Sequence, residues 1–213
     1  MSESVVSVEN VSLKYKKAVL DNVTISASKG EVIGLLGLNG SGKSTLLSAI
    51  AGLRKPASGA IVVNGKAGFV TQENALIDEL TAMDNLKMWT PLSKQEILKE
   101  LTETELSILK VSDFINLKVK RMSGGMKKRL AIASVLLAKP DILLMDEPLA
   151  ALDIPAKNDI INFIDSFRAK GGMVFIASHS EEMFRHCSRV YLLKKGQAVL
   201  LPAGISPAEA LNG

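Results

Sequence analysis

Eight consecutive residues carry the first chemistry in this chain. Gly37-Leu38-Asn39-Gly40-Ser41-Gly42-Lys43-Ser44 follows the pattern G-x-x-x-x-G-K-[ST] without exception. Glycines let successive backbone N–H groups curl around phosphate oxygens without Cβ clashes. A buried-strand pattern, Val32–Leu36, precedes the turn, and a helical pattern, Ser44–Ala51 stopped by Gly52, follows it. The positive end of that helix then points at the same anion. Lys43 is expected to reach terminal phosphates, Ser44 to offer its hydroxyl to Mg²⁺, and Thr45 to join the phosphate-binding set. The implied chemistry is the binding of a nucleotide's phosphates.

Two further patterns point the same way. Ile142-Leu143-Leu144-Met145 is an apolar run that ends in Asp146-Glu147. In a fold with a phosphate cradle, the strand beside the cradle carries an aspartate for the Mg²⁺ shell, and Asp146 fits that role. Alternation along a strand would turn Glu147 another way, where it could polarise an attacking water. Ser123-Gly124-Gly125, ahead of the basic run Lys127-Lys128-Arg129, offers a hydroxyl, bare N–H groups and a helix dipole. Taken alone it is a capped helix start. Beside a phosphate cradle it is a second anion site, and one nucleotide has little use for two. It is therefore expected to face the nucleotide of another subunit.

The elements that must position these groups alternate between short apolar runs and helical patterns, which argues for an α/β fold with a mostly parallel sheet. Val5–Val8 and Val11–Tyr15 read as strands. Ile61–Val63 and Gly68–Val70 flank Asn64-Gly65 and read as a hairpin. From Leu76 to Pro140 no strand is evident, so about 76–140 is expected to be a helical insert. Within it, Ser93-Lys94-Gln95-Glu96 is a capping box for a helix to about Lys110, and Ser123–Ala138 is a second helix. Pro155 suits the first turn of a helix that Gly171-Gly172 ends. Met173–Ala177 and Val190–Leu193 are further strands. Lys195-Gly196 turns a last hairpin with Ala198–Leu201, and Pro202–Gly213 is expected to be a short tail.

Composition bounds the possibilities. In 213 residues, 47% are hydrophobic and 23% charged, ordinary globular usage that excludes disordered and low-complexity classes. The lone Cys187 excludes an internal disulfide and fits a reducing compartment. No secretion signal is expected at the start and no regulatory domain at the end. The mean hydropathy of +0.22 is slightly apolar, yet no run approaches the ~20 residues of a spanning helix. The net charge of +4 reads as a solvated surface with a small lysine excess, with no nucleic acid implied. Lys118, Lys120, Arg121 and Lys127–Arg129 likewise read as a solvated face, His186 as structural or solvated, and Trp89 and the methionines as core or interface.

Taken together, the motifs resemble the nucleotide-binding subunit of an ABC transporter, over about residues 5 to 201. The resemblance implies further roles. Tyr15 matches the aromatic that stacks on adenine. Gln72 matches the glutamine that touches Mg²⁺ and senses the membrane subunit. Ser123-Gly124-Gly125 matches the signature, Ala151-Leu152-Asp153 the loop that crosses the dimer interface, and His179 the switch histidine at the γ-phosphate. Met122 and Met126 replace the usual ends of Leu-Ser-Gly-Gly-Gln, and Ile154 stands where the family usually has proline. Those methionines, Gln72–Leu76, Leu80-Thr81 and Asn85-Leu86 resemble the export branch that has separate six-helix membrane subunits.

What the resemblance implies is one ABC-type ATPase domain over 1–213. Its fold would be an α/β P-loop NTPase (RecA-like) core with a small antiparallel β subdomain and a helical subdomain. The cofactors would be ATP and Mg²⁺, the latter held by Ser44, Gln72 and Asp146. Catalysis would fall to Glu147, His179 and Lys43. Nucleotide would be held by Tyr15, Gly37 to Thr45, Ser123, Gly124, Gly125 and, from the interface loop, Asp153. The partners would be a permease on a separate chain and a second ATPase subunit, identical or not, in a head-to-tail dimer on the cytoplasmic face of the membrane. An importer subunit or a soluble ABC-type ATPase are the alternatives.

Overall fold

The computed structural model describes residues 4–14, 18–179, 181–202 and 207–212. Tyr15, the residue matched to adenine stacking, lies outside them. The strands in chain order are β1 (Ser4–Lys14), β2 (Ala18–Ser28), β3 (Val32–Leu36), β4 (Ser58–Val63), β5 (Ala67–Val70), β6 (Ile142–Asp146), β7 (Met173–Ser178), β8 (Arg189–Lys194) and β9 (Gln197–Leu200). The α-helices are α1 (Lys43–Ile50), α2 (Ala82–Met88), α3 (Lys94–Glu103), α4 (Gly124–Leu136), α5 (Ile154–Ala169), α6 (Glu181–Phe184) and α7 (Pro207–Asn212).

The central sheet has six strands in the order β5-β6-β7-β3-β8-β9, parallel except for β9. Strands β3, β6 and β7 are buried at every position, which is why they read as continuous apolar runs rather than alternating ones. The pleat divides them between two cores. Leu143, Met145, Val174 and Ile176 face α4, α5 and the helical region, while Ile142, Leu144, Met173, Phe175 and Ala177 face α1 and the small sheet.

Where the structure departs from the sequence reading, the reason is long-range pairing. The strands around Asn64-Gly65 do not form a hairpin. Strand β4 pairs antiparallel with β1 in a three-stranded sheet ordered β2-β1-β4, and β5 pairs parallel with β6 across the other sheet. Strand β2 was not evident in the sequence. Its alternating Leu20, Val23, Ile25 and Ala27 cover only one face, and a register shift between Leu20 and Val23 interrupts the period. The two short runs at the start are one strand, β1, irregular between Val8 and Val11. Pro207–Asn212 is a helix, and its Ala210 and Leu211 pack against Leu36, Phe184 and Leu192.

Between β5 and β6 the described residues hold α2, α3, three short 3₁₀ turns and α4, with a single isolated bridge, Thr81 to Lys118. The Ser93 capping box forms on both sides: Ser93 N–H donates to Glu96 Oε2 at 2.8 Å and Glu96 N–H to Ser93 Oγ at 3.3 Å. That helix stops at Glu103 rather than Lys110. Thr104 turns the chain into a 3₁₀ segment, Glu105–Leu109.

Candidate active site

Strand order gathers the chemistry. Strands β5, β6, β7 and β3 are parallel neighbours, so the residues following them meet at one edge of the sheet: Gln72 after β5, Glu147 after β6, His179 after β7 and Gly37 after β3. Ligands of open α/β sheets bind at this carboxyl edge. The expectation that β6 adjoins the cradle strand is corrected: β7 lies between them. Asp146 still reaches the cradle, because its carboxylate accepts a hydrogen bond from the Ser44 side chain at the start of α1.

The cradle itself is built from unusual backbone. Gly40 and Gly42 have φ of +78° and +105°. A Cβ on Gly42 would stand 2.6 Å from Leu20 Cδ2, so a side chain there would meet both strain and collision. Among the described residues no side chain caps α1, whose N-cap is Gly42. Lys43 is buried and folds back, its Nζ donating to the Gly37 carbonyl at 2.7 Å and the Leu38 carbonyl at 3.3 Å. Burial lowers its pKa, and attraction to Glu147 and Asp146 opposes the shift. Among the described residues the buried Ser41 hydroxyl has no hydrogen-bond partner, an orphaned group in the loop that would hold phosphate.

The two carboxylates differ. Asp146 is buried, and desolvation raises its pKa, against the opposing hydrogen bond from Ser44. Glu147 is not on the strand at all. Its φ of +47° is left-handed, so its direction comes from that turn and not from strand alternation. Its N–H donates to the Ala177 carbonyl at 2.8 Å. Its Oε1 lies 2.8 Å from His179 Nδ1, and Ser178 Oγ donates to its Oε2 at 3.3 Å. The backbone strain positions a carboxylate between two side chains of the neighbouring strand's end. The His179 side chain is 65% exposed, while that of Glu147 is 9% exposed.

Gln72 is exposed and lines, with Ser44, Thr45 and Asp146, an open cleft of about 610 Å³. Leu38, Asn39, Gly40 and Ser41 line a second cleft of about 600 Å³, on which Lys195 and Leu211 also border. Ser123 is the N-cap of α4, its Oγ accepting from Met126 N–H at 3.2 Å, and it is exposed. Gly125 is buried, and a Cβ on it would stand 2.6 Å from Ala156 Cβ, so glycine lets α4 and α5 approach. Asp153 caps α5 by accepting from Ala156 N–H at 3.0 Å. Ile154, in the place usual for proline, is 73% exposed.

The basic run is not a solvated face throughout. Lys118, Lys120 and Arg121 are exposed, but Lys128 is buried, and Arg129 pairs with Asp159 at 2.9 Å while lying 5.3 Å from the Phe114 ring centre. Gly125, Lys128, Ile132 and Leu136 share one face of α4, but Leu130, Ala131 and Ala133 are buried as well, so helical period alone does not single out Lys128. Ser178 was missed because an isolated serine at a strand end carries no pattern. His186 lies 3.2 Å from Asp165. Trp89 is 56% exposed and borders an apolar groove with Val135 and Ala138 of the region after α4's start.

A family model described as ABC transporter matches residues 20–150. The chain is 34% identical over 222 residues to the linearmycin resistance ATP-binding protein of Bacillus subtilis, covering 96% of this chain and 71% of that one. It is 32% identical to the methionine import ATP-binding protein of Clostridioides difficile, covering 91% and 67%. Among solved structures it superposes with a TM-score of 0.79 on a dimeric, post-hydrolysis ATP-binding cassette bound to ADP and Pi, 31% identical and covering 91% and 96%.

Proposed function

The chain belongs to the ABC transporter family, and from that premise we propose that it is the ATP-hydrolysing subunit of a transporter that exports its cargo through a separate membrane-spanning chain. It is an ATPase, with the α/β P-loop NTPase fold of its structural relatives. The observation that carries the site reading is the convergence at the sheet edge: Ser44 bonded to Asp146, and Glu147 held 2.8 Å from His179.

The donors offered to a divalent cation are the Ser44 hydroxyl, the Asp146 carboxylate and the Gln72 side-chain amide. These are hard oxygen ligands, few in number, and they suit Mg²⁺, which keeps waters and phosphate oxygens in its shell. When bound, Mg²⁺ neutralises charge on the phosphates. Gly37 to Thr45 hold the phosphate chain through backbone N–H groups, and Tyr15 stacks on adenine. Lys43 exchanges the Gly37 and Leu38 carbonyls for the terminal phosphates. Glu147 orients the attacking water and accepts its proton, while the second ring nitrogen of His179 faces the γ-phosphate.

Two such subunits, identical or not, pair head to tail, so that Ser123, Gly124, Gly125 and Asp153 of one complete the site of the other. Residues 76–140 act as a helical subdomain within the single domain, and Gln72 links it to the permease. The membrane is met through that partner, on its cytoplasmic face; among the described residues no helix is long and apolar enough to cross a membrane. Exposed Leu38 and Ile154 supply apolar surface toward the twin subunit, and Met88 and Trp89 toward the permease.

The export direction rests on Met122, Met126 and the Gln72–Leu76 segment. The methionine import relative favours import as the second reading. Co-expression with the adjacent membrane chain and ATP-driven transport in inside-out vesicles separates them: accumulation of cargo inside supports export, and release overturns it.

A further inference from the structure

Three consecutive cations on α4 each tie that helix to a different part of the molecule. Lys127 reaches Asp78 at 3.0 Å and Arg129 reaches Asp159 of α5 at 2.9 Å. Both ties join side chain to side chain. Lys128, between them, is different. It is only 4% exposed, and its Nζ donates to two main-chain carbonyls, Thr71 at 3.3 Å and Gln72 at 3.1 Å.

Those carbonyls are the first two beyond β5. The last residue pair of β5 and β6 is Val70 with Met145, so Thr71 and Gln72 leave the sheet beside Asp146 and Glu147. The lysine is attracted to both carboxylates. A buried ammonium is costly unless it is hydrogen-bonded, and a methionine would fill the same space without that cost. What the ammonium adds is a grip on backbone. The Gln72 main chain is held while its side chain stays exposed over the cleft.

We propose that Lys128 is a positioning residue that fastens the Thr71–Gln72 backbone to the helix beginning at Ser123, so that the Gln72 side chain and Ser123–Gly125 move as one body. The functional sense of this tether rests on the proposed roles of Gln72 and Ser123; the tether itself does not. Lys127 and Arg129 hold α4 to the helical region and to α5, and Lys128 adds the connection to the catalytic edge of the sheet.

The test compares Lys128→Met, which cannot donate, with Lys128→Arg, which keeps charge and donors. On the nucleotide-free chain, hydrogen exchange of the peptide over residues 71–77 is expected to speed at least about tenfold in Lys128→Met, with β3, β6 and β7 peptides unchanged. In ATP hydrolysis kcat is expected to fall about tenfold with KM for ATP within about threefold, and Lys128→Arg to restore both measurements. Wild-type exchange at 71–77 in Lys128→Met overturns the proposal. So does faster exchange across the whole central sheet with KM rising in both variants, which marks a general packing role. Should Glu147→Gln hydrolyse ATP normally, the reading of the active site fails, and the exchange experiment still decides the tether.

Discussion

Helix α1 begins at Lys43 behind a glycine in the left-handed conformation, and among the described residues no side chain caps its first turn. Helix α4 begins at Gly124 behind Ser123, whose hydroxyl accepts from Met126 N–H. Both starts are glycine-rich, and both read in the sequence as anion sites. The first is built around an absence: an uncapped turn, an orphaned Ser41 hydroxyl and a lysine folded back on two carbonyls. The second is satisfied internally, and its Gly125 serves the packing of α4 on α5. A helix start that caps itself has no local demand for an anion, so its use as a binding site has to come from a surface brought to it.

Substitutions can break or sharpen this contrast. The largest effect is expected at the uncapped start: Lys43→Ala should abolish measurable ATP binding in calorimetry, and unchanged affinity would count against the whole cradle. Glu147→Gln should cut phosphate release at least about 100-fold while ATP binding persists and ATP-bound dimers accumulate in size-exclusion chromatography. Rapid turnover by this variant would remove Glu147 from the mechanism.

At the self-capped start the effects should be smaller and split. Gly125→Ala should destabilise the fold by about 1–3 kcal/mol through overpacking against Ala156, read as a lower denaturation midpoint. Ser123→Ala should cost about 1 kcal/mol of stability for the lost cap, with ATP affinity of the isolated subunit unchanged and hydrolysis by the dimer reduced. Loss of ATP affinity in the monomer would place Ser123 in its own chain's site.

The smallest effect concerns pH. Burial raises the Asp146 pKa above its unfolded value, so its contribution to stability is full below the unfolded pKa and is lost as pH rises through the folded one. Asp146→Asn should therefore raise the melting temperature of the nucleotide-free protein slightly near pH 7, with the gap narrowing in acid. A lower melting temperature near pH 7 would contradict the burial argument.

Local patterns were legible wherever the chain's neighbours in sequence are also its partners in space. The phosphate cradle, the Ser93 capping box and the Lys195-Gly196 hairpin are of this kind, and the fully buried strands declared themselves by continuous apolar runs. The Asn64-Gly65 turn misled because a turn signal says that the chain reverses, not that the flanking strands pair. Lys128 was hidden in a charge run, since charge is a strong cue and helical phase a weak one. Glu147 showed its chemistry but not its left-handed backbone, which no neighbouring residue type announces.

By itself the sequence determined which chemistry is on offer: a phosphate cradle, two carboxylates, a histidine and a second glycine-rich helix start. Residue type and short spacing carry that information, because backbone sterics and hydrogen-bonding capacity are local. Tertiary structure alone decided the order β5-β6-β7-β3, and with it that Gln72, Glu147, His179 and Gly37 leave the sheet along one edge. It also decided that a lysine in a basic run turns inward to hold Thr71 and Gln72. Strand order depends on how whole faces of apolar surface are buried together, and no stretch of neighbouring residues contains that sum.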